Sequence, residues 1–245
     1  PSSVTEIGEC VFNDCSSLKQ IEIPSSITSL KSQAFKGCKS LTNVNIPESI
    51  ELIENNQFNE CLSLNQIIIP SSVTKIGDYA FNKCESLQQI TIPESVISIG
   101  NYVFNGCFSL KTISIPSSVK SIGCDIFEGV VSLKITGDLT SIPKQLFNNC
   151  STIKKVIIPS TITVIKEKAF DNSAITEVSI PSSVTSIENG AFSQCSNIRQ
   201  IEIPTSVTSI GDGVFSGCFS FNKYSSLSLK IAIPSSITKI SNDLF

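Results

Sequence analysis

Apolar side chains recur along this chain in fixed columns, separated by short polar turns. Taking the proline of Ile-x-Ile-Pro-Ser-Ser as first position, repeats open at Pro1, Pro24, Pro47, Pro70, Pro93 and Pro116, a period of 23 residues. The next opens at Thr136, a step of 20, and is followed by Pro159, Pro181, Pro204 and Pro234, the last step of 30 holding an insertion near 219–230. One column is aromatic: Phe12, Phe35, Phe58, Phe81, Phe104, Phe127, Phe147, Phe170, Phe192, Phe215 and Phe245 account for eleven of the 14 phenylalanines. A second is cysteine, through Cys15, Cys38, Cys61, Cys84, Cys107, Cys150, Cys195 and Cys218, with Val130 and Ser173 as exceptions. Two aliphatic columns run through Val4, Ile27, Ile50, Val73 and Val96, and through Ile7, Leu30, Ile53, Ile76 and Ile99.

One repeat cannot bury all these side chains against itself, whereas stacked coils bury each column as a continuous ladder. The alternation at Ile21-Glu22-Ile23 is strand behaviour, two side chains inward and one outward. Proline then stops the strand, since it cannot donate to a ladder. Ser-Ser and the pairs Gly77-Asp78, Gly100-Asn101 and Gly211-Asp212 read as turns. Val-Thr-Ser-Ile, rich in β-branched residues, predicts a second short extended segment. Ala34 to Cys38 and its copies predict a tight helical turn that drops Phe and Cys inward. The uniform period predicts a single elongated solenoid over residues 1–245, about ten coils at an inter-strand spacing of about 4.8 Å. The irregular coil near 123–139 lacks the cysteine, carries Val130-Val131, and is expected to distort the sheet locally.

Composition then narrows the chemistry. A net charge of −3 and 16% charged residues exclude a nucleic-acid footprint or polybasic membrane patch, and no run has the length of a membrane helix. The opening Pro-Ser-Ser-Val is not a signal peptide and the chain has no methionine, so it reads as a fragment of a longer protein. Zero histidine removes Ser-His-Asp and Cys-His arrangements and histidine metal sites. The recurring acids Asp78, Glu188 and Asp212 read as solvated turn residues, and the glycines lie at turn spacing with no phosphate-binding loop. No catalytic residue, metal site or cofactor is assigned. The cysteine column reads as a buried thiol ladder in which cysteine serves as a small hydrophobe. Cys10 and Cys124 fall outside it, either as exposed reactive thiols or as half-buried turn residues.

What remains is surface. The outward strand positions are Gln20 and Glu22, Asn43 and Asn45, Gln66 and Ile68, Gln89 and Thr91, and Thr112 and Ser114; later coils present Lys155 and Ile157, Glu177 and Ser179, and Gln200 and Glu202. These vary while the core columns do not, the pattern of an adaptable binding sheet, though drift at unconstrained solvent positions gives the same pattern. The insertion places Phe219, Phe221 and Tyr224 in a loop that either binds a partner or covers the end of the stack.

The motif Pro-x-Ser-Val-Thr-x-Ile-Gly-x-x-Ala-Phe-x-x-Cys-x-x-Leu-x-x-Ile-x-Ile, seen well at Pro70 to Ile92 and Pro181 to Ile203, resembles the BspA-like leucine-rich repeats of bacterial and protist surface proteins. The resemblance spans essentially the whole chain. It implies a leucine-rich repeat solenoid, right-handed, with a concave parallel sheet and helical turns on the convex side. It also implies a non-catalytic protein-binding module at a cell surface or secreted, adhesive toward host or extracellular-matrix proteins, with no fixed functional residues. The alternative is a cytoplasmic scaffold or structural spacer, in keeping with the missing signal and the reduced character of the thiols.

Overall fold

Most coils contribute two short parallel strands, one from each apolar segment that the repeat predicts. The computed structural model describes residues 3–123, 125–218, 230–238, 240 and 243–245. These fall into two compact units, Pro1–Val130 and Val131–Phe245, each built of stacked parallel-sheet coils, about nine turns in all against the ten expected. The insertion at 219–229 lies outside the described residues.

In the first unit the Ile-x-Ile segments pair as Gln20–Glu22 with Asn43–Asn45 and Gln89–Thr91 with Thr112–Ser114. The Ile-x-Ile segment of the coil between them forms no strand and joins through a single bridge from Asn45 to Ile68. The Val-Thr-Ser-Ile segments give a second ladder, with Glu6–Ile7 beside Ser29–Leu30 and the run Leu52–Ile53, Lys75–Ile76, Ser98–Ile99 and Ser121–Ile122. In the second unit the first ladder holds Ser132–Thr136, Lys155–Ile157, Glu177–Ser179, Gln200–Glu202 and Lys230–Ala232. The second holds Ser141–Ile142, Val164–Ile165, Ser186–Ile187 and Ser209–Ile210.

The shortened coil keeps its register with the coils that follow it in the second unit. Leu133 pairs with Val156, which pairs with Val178, so Leu133 takes the position that Ile113 holds in a full coil. Only three residues separate Val130 from Leu133 where six separate Cys107 from Ile113. The deletion therefore falls between the inward turn residue and the strand, and the strand itself is the longest described, five residues.

The helical turn is the expectation that fails: among the described residues no helix forms. Two residues four apart in each coil have positive φ, such as Gln33 (60°) with Gly37 (71°), Tyr79 (57°) with Lys83 (56°), and Lys168 (55°) with Asn172 (54°). A right-handed helix cannot pass through that region. The N–H groups accordingly divide between two uses. Ala34, Lys36 and Cys38 donate to carbonyls three residues back, while Gln33, Phe35 and Gly37 donate across to Asn55, Gln57 and Asn59 of the next coil. Half the donors that a helix would spend within one coil instead join two.

The Phe rings pack face to face down the stack, with centroids 5.3 Å apart at Phe12–Phe35 and 5.9 Å at Phe81–Phe104, interplanar angles of 5° and 3°. In the second unit Phe147–Phe170 and Phe170–Phe192 lie 4.9 and 5.0 Å apart. Such offset pairs add to the burial of the rings themselves. The serines of Pro-Ser-Ser gain a reason here. Ile27, Val73 and Val96 each donate a backbone N–H to the proline three residues back, and the second serine caps the previous coil: Ser72 donates to Ile50 O at 2.6 Å, Ser95 to Val73 O at 2.6 Å, Ser206 to Val184 O at 2.7 Å. Glycine at Gly77 and Gly100 is required by close approach, since a Cβ there would lie 2.7 Å from the backbone nitrogen of Asn55 or Asp78 in the preceding coil.

The cysteine column is buried from Cys38 to Cys218, and the nine described cysteines are free. Cysteine is more than a small hydrophobe here. Cys38, Cys61, Cys84 and Cys107 donate from Sγ to the carbonyls of Phe12, Phe35, Phe58 and Phe81 at 3.1–3.3 Å, and Cys195 and Cys218 do the same to Phe170 and Phe192 at 2.8 and 2.9 Å. Cys15 departs from the expectation and is exposed. Cys10 is also exposed, and Cys124 lies outside the described residues.

Candidate binding face

Strand alternation decides which side chains of the long ladder reach solvent. Val44 and Ile90 are buried between exposed Asn43 and Asn45 and between exposed Gln89 and Thr91, and Thr112 and Ser114 flank buried Ile113 half-exposed. Because the register advances one coil per strand, the outward residues of adjacent coils sit side by side. Gln20, Glu22, Asn43 and Asn45 line one shallow depression in the first unit. Gln66, Gln89 and Thr112 line another, together with Asn65, Gln88 and Lys111. Ile68 stands 81% exposed, and Ile68, Thr91 and Ser114 line neither depression. The loop residues Phe219, Phe221 and Tyr224 lie outside the described residues.

Asn65, Gln88 and Lys111 were missed by the sequence reading. It took alternate positions only, but the strand begins one residue later, so the residue before it also faces out. The usable signal is the polar column just ahead of each strand: Lys19, Thr42, Asn65, Gln88, Lys111, Lys154, Thr176 and Arg199. In the second unit Arg199 belongs to a depression of about 590 Å³ whose walls include Lys155, Ile157, Glu177, Ser179 and Glu202. There Lys155 Nζ pairs with Glu177 at 3.1 Å.

Of the acids read as solvated turn residues, Asp212 is an exposed turn residue, while Asp78 and Glu188 also bond to neighbouring coils. Asp78 Oδ1 accepts the Asn101 N–H at 2.7 Å, and Asn55 Oδ1 accepts that of Asp78 at 2.8 Å. Glu188 accepts the Glu167 N–H at 2.9 Å. Elsewhere a hydrogen bond from Lys83 holds the Glu60 carboxyl below its ordinary pKa. The buried thiols move the other way. Burial pushes Cys38 and Cys195 up to about 11 and Cys107 and Cys218 up to about 12, so at neutral pH they are protonated donors and not ligands. Among the described residues no group of His, Cys, Asp or Glu has the arrangement of a metal site, and no helix is long and apolar enough to cross a membrane.

The sequence matches a known family model, the BspA type leucine rich repeat region, over residues 5–134 and 129–245. The chain belongs to this family. Among solved structures, a leucine-rich repeat protein from Eubacterium ventriosum is 26% identical, with 92% of this chain and 65% of that one covered and a TM-score of 0.56. The pneumococcal vaccine antigen PcpA is 23% identical, covering 87% and 65%, at 0.50. A leucine rich cell surface protein from Faecalibacterium prausnitzii is 27% identical, covering 98% and 79%, at 0.47. No curated protein matches the chain. BspA-type leucine-rich repeats, like leucine-rich repeats generally, are protein-interaction modules built on an extended repeat surface.

Proposed function

We propose that this chain is a non-catalytic protein-binding module that uses the outward side chains of its long strand ladder, in adhesion or interaction with a host or extracellular-matrix protein at a cell surface. The observation that supports the reading is the contrast between faces. Buried positions repeat the same few residues coil after coil, while the exposed ones aligned beside them change from amide to hydroxyl, carboxylate, amine and aliphatic. Exposed Ile68 among Gln66, Gln89 and Thr91 supplies an apolar anchor in a polar surround. The right-handed coil and the concave setting of this sheet, the continuity of residues 1–245 as one solenoid, and the surface location belong to the same proposal. They rest on the family resemblance.

The test is differential capture from host-cell and matrix extracts, using the native chain and a variant with Gln66, Ile68, Gln89 and Thr91 replaced by lysine. All four side chains are exposed, so the variant is expected to fold like the native chain, as circular dichroism will check. A partner taken by the native chain and lost by the variant supports the reading; equal capture by both moves the site off these coils. The second reading, an intracellular scaffold, is favoured by the exposed free thiol Cys10, which an oxidising compartment would consume.

A further inference from the structure

The second unit's depression holds the one arginine of the chain, against 17 lysines. Arg199 is exposed, and its guanidinium has no hydrogen-bond or ion-pair partner among the described residues. Of the carboxylates in the depression, Glu177 is already paired with Lys155. Arg199 is thus an unpaired cation of this depression among the described residues, and a planar fork of donors is the group best matched to a carboxylate. The apolar element is Ile157, 47% exposed in the same depression. Two carboxylates in the walls disfavour a polyanion such as a sulfated glycan, whose charges would meet Glu177 and Glu202. A single carboxylate near an aliphatic side chain fits.

The spacing sets the ligand's form. By register Gln200 lies opposite Glu177 and Glu177 opposite Lys155, so Arg199 and Ile157 are two coils apart across the sheet and three residues apart along it. At about 4.8 Å per strand and about 3.3 Å per residue the diagonal is about 14 Å, which an extended peptide covers in about four residues, a separation that returns side chains to one face. We propose that this depression binds an extended protein segment bearing a single carboxylate, with that carboxylate on Arg199 and an aliphatic side chain four residues away on Ile157. The inference rests on the binding-module reading and names the chemistry of its partner.

A lone arginine gives a lone Nε–Hε resonance, so the site reports on itself. The probe is the peptide acetyl-Gly-Leu-Ser-Ser-Ser-Glu-Gly-amide, titrated to millimolar concentration into the 15N-labelled chain. The Arg199 Nε–Hε signal and the Ile157 amide should move together and saturate. The same peptide with Gln for Glu should bind about tenfold more weakly, as expected for loss of a charge-assisted pair. By calorimetry, Arg199→Gln should weaken the Glu peptide about tenfold and Ile157→Ser several-fold, with Arg199→Lys between native and Arg199→Gln. No shift with the Glu peptide, equal binding of both peptides, or an equal response to a sulfated disaccharide would each overturn the proposal. The four-lysine variant of the first unit should leave this titration unchanged, so failure here and failure of the general binding reading are separable.

Discussion

A buried thiol in this fold is a hydrogen-bond donor, and that has consequences for pH. Cys107 Sγ donates to Phe81 O at 3.2 Å and burial raises its pKa to about 12. In the unfolded chain the thiol loses its proton near the ordinary value of 9.0. Between these values the unfolded state binds fewer protons than the native state, so stability present below pH 9 declines as pH rises toward 12. The melting temperature of the native chain should fall more steeply above pH 9 than that of Cys107→Ser, whose hydroxyl does not titrate there; parallel slopes would remove the thiol as the cause. Serine is a native solution at Ser173, which lies 3.4 Å from Cys195 Sγ. Alkylation under native conditions provides a second check. Iodoacetamide should label Cys10 and Cys15 while Cys38, Cys61, Cys84, Cys107, Cys150, Cys195 and Cys218 stay unmodified until denaturant is added, as read by peptide mass spectrometry.

At the scale of the element, the Phe ladder makes damage local. Phe81 is fully buried between Phe58 and Phe104, so Phe81→Ala should cost about 3–5 kcal/mol through the cavity it leaves. Because coils contact their nearest neighbours, hydrogen exchange should accelerate most around Phe58 and Phe104; uniform acceleration would contradict stacking of independent rungs. The turn opposite the strands is where sequence reading failed. Ala-Phe-x-Gly-Cys has the composition of a helical turn, but whether its N–H groups close within the coil or cross to the next depends on the neighbour's carbonyls, which no single repeat contains. The exposed Lys83 gives no warning of positive φ, although glycine at Gly37, Gly106, Gly129 and Gly217 and asparagine at Asn149 and Asn172 in the same column are its usual signature. The fold imposes it, and the cross-coil bonds compensate for its cost.

At the scale of the molecule, repetition separates stability from recognition. The columns that hold the coils together are internal, so the outward positions of the ladder are free to differ, and four lysines at Gln66, Ile68, Gln89 and Thr91 should change binding with little change in melting temperature. Loss of fold in that variant would show that the exposed face contributes to stacking. The candidate face was legible in outline because period-two alternation is a property of any strand, which placed Asn43, Asn45, Gln89 and Thr91 correctly. Arg199 and Gln88 were not legible, because where the strand begins within the repeat is set by pairing with the adjacent coil.

The sequence by itself determined the period, the inward columns and the family, since each follows from where apolar side chains recur. Tertiary structure decided the rest: the turn that is not a helix, the thiol that serves as a donor, the place where the short coil absorbs its deletion, and the meeting of Arg199 with Ile157 from coils 42 residues apart. All four depend on bonds or proximity between successive coils. A linear pattern records which residues recur, while the partner of each polar group is fixed only when one coil is laid on the next.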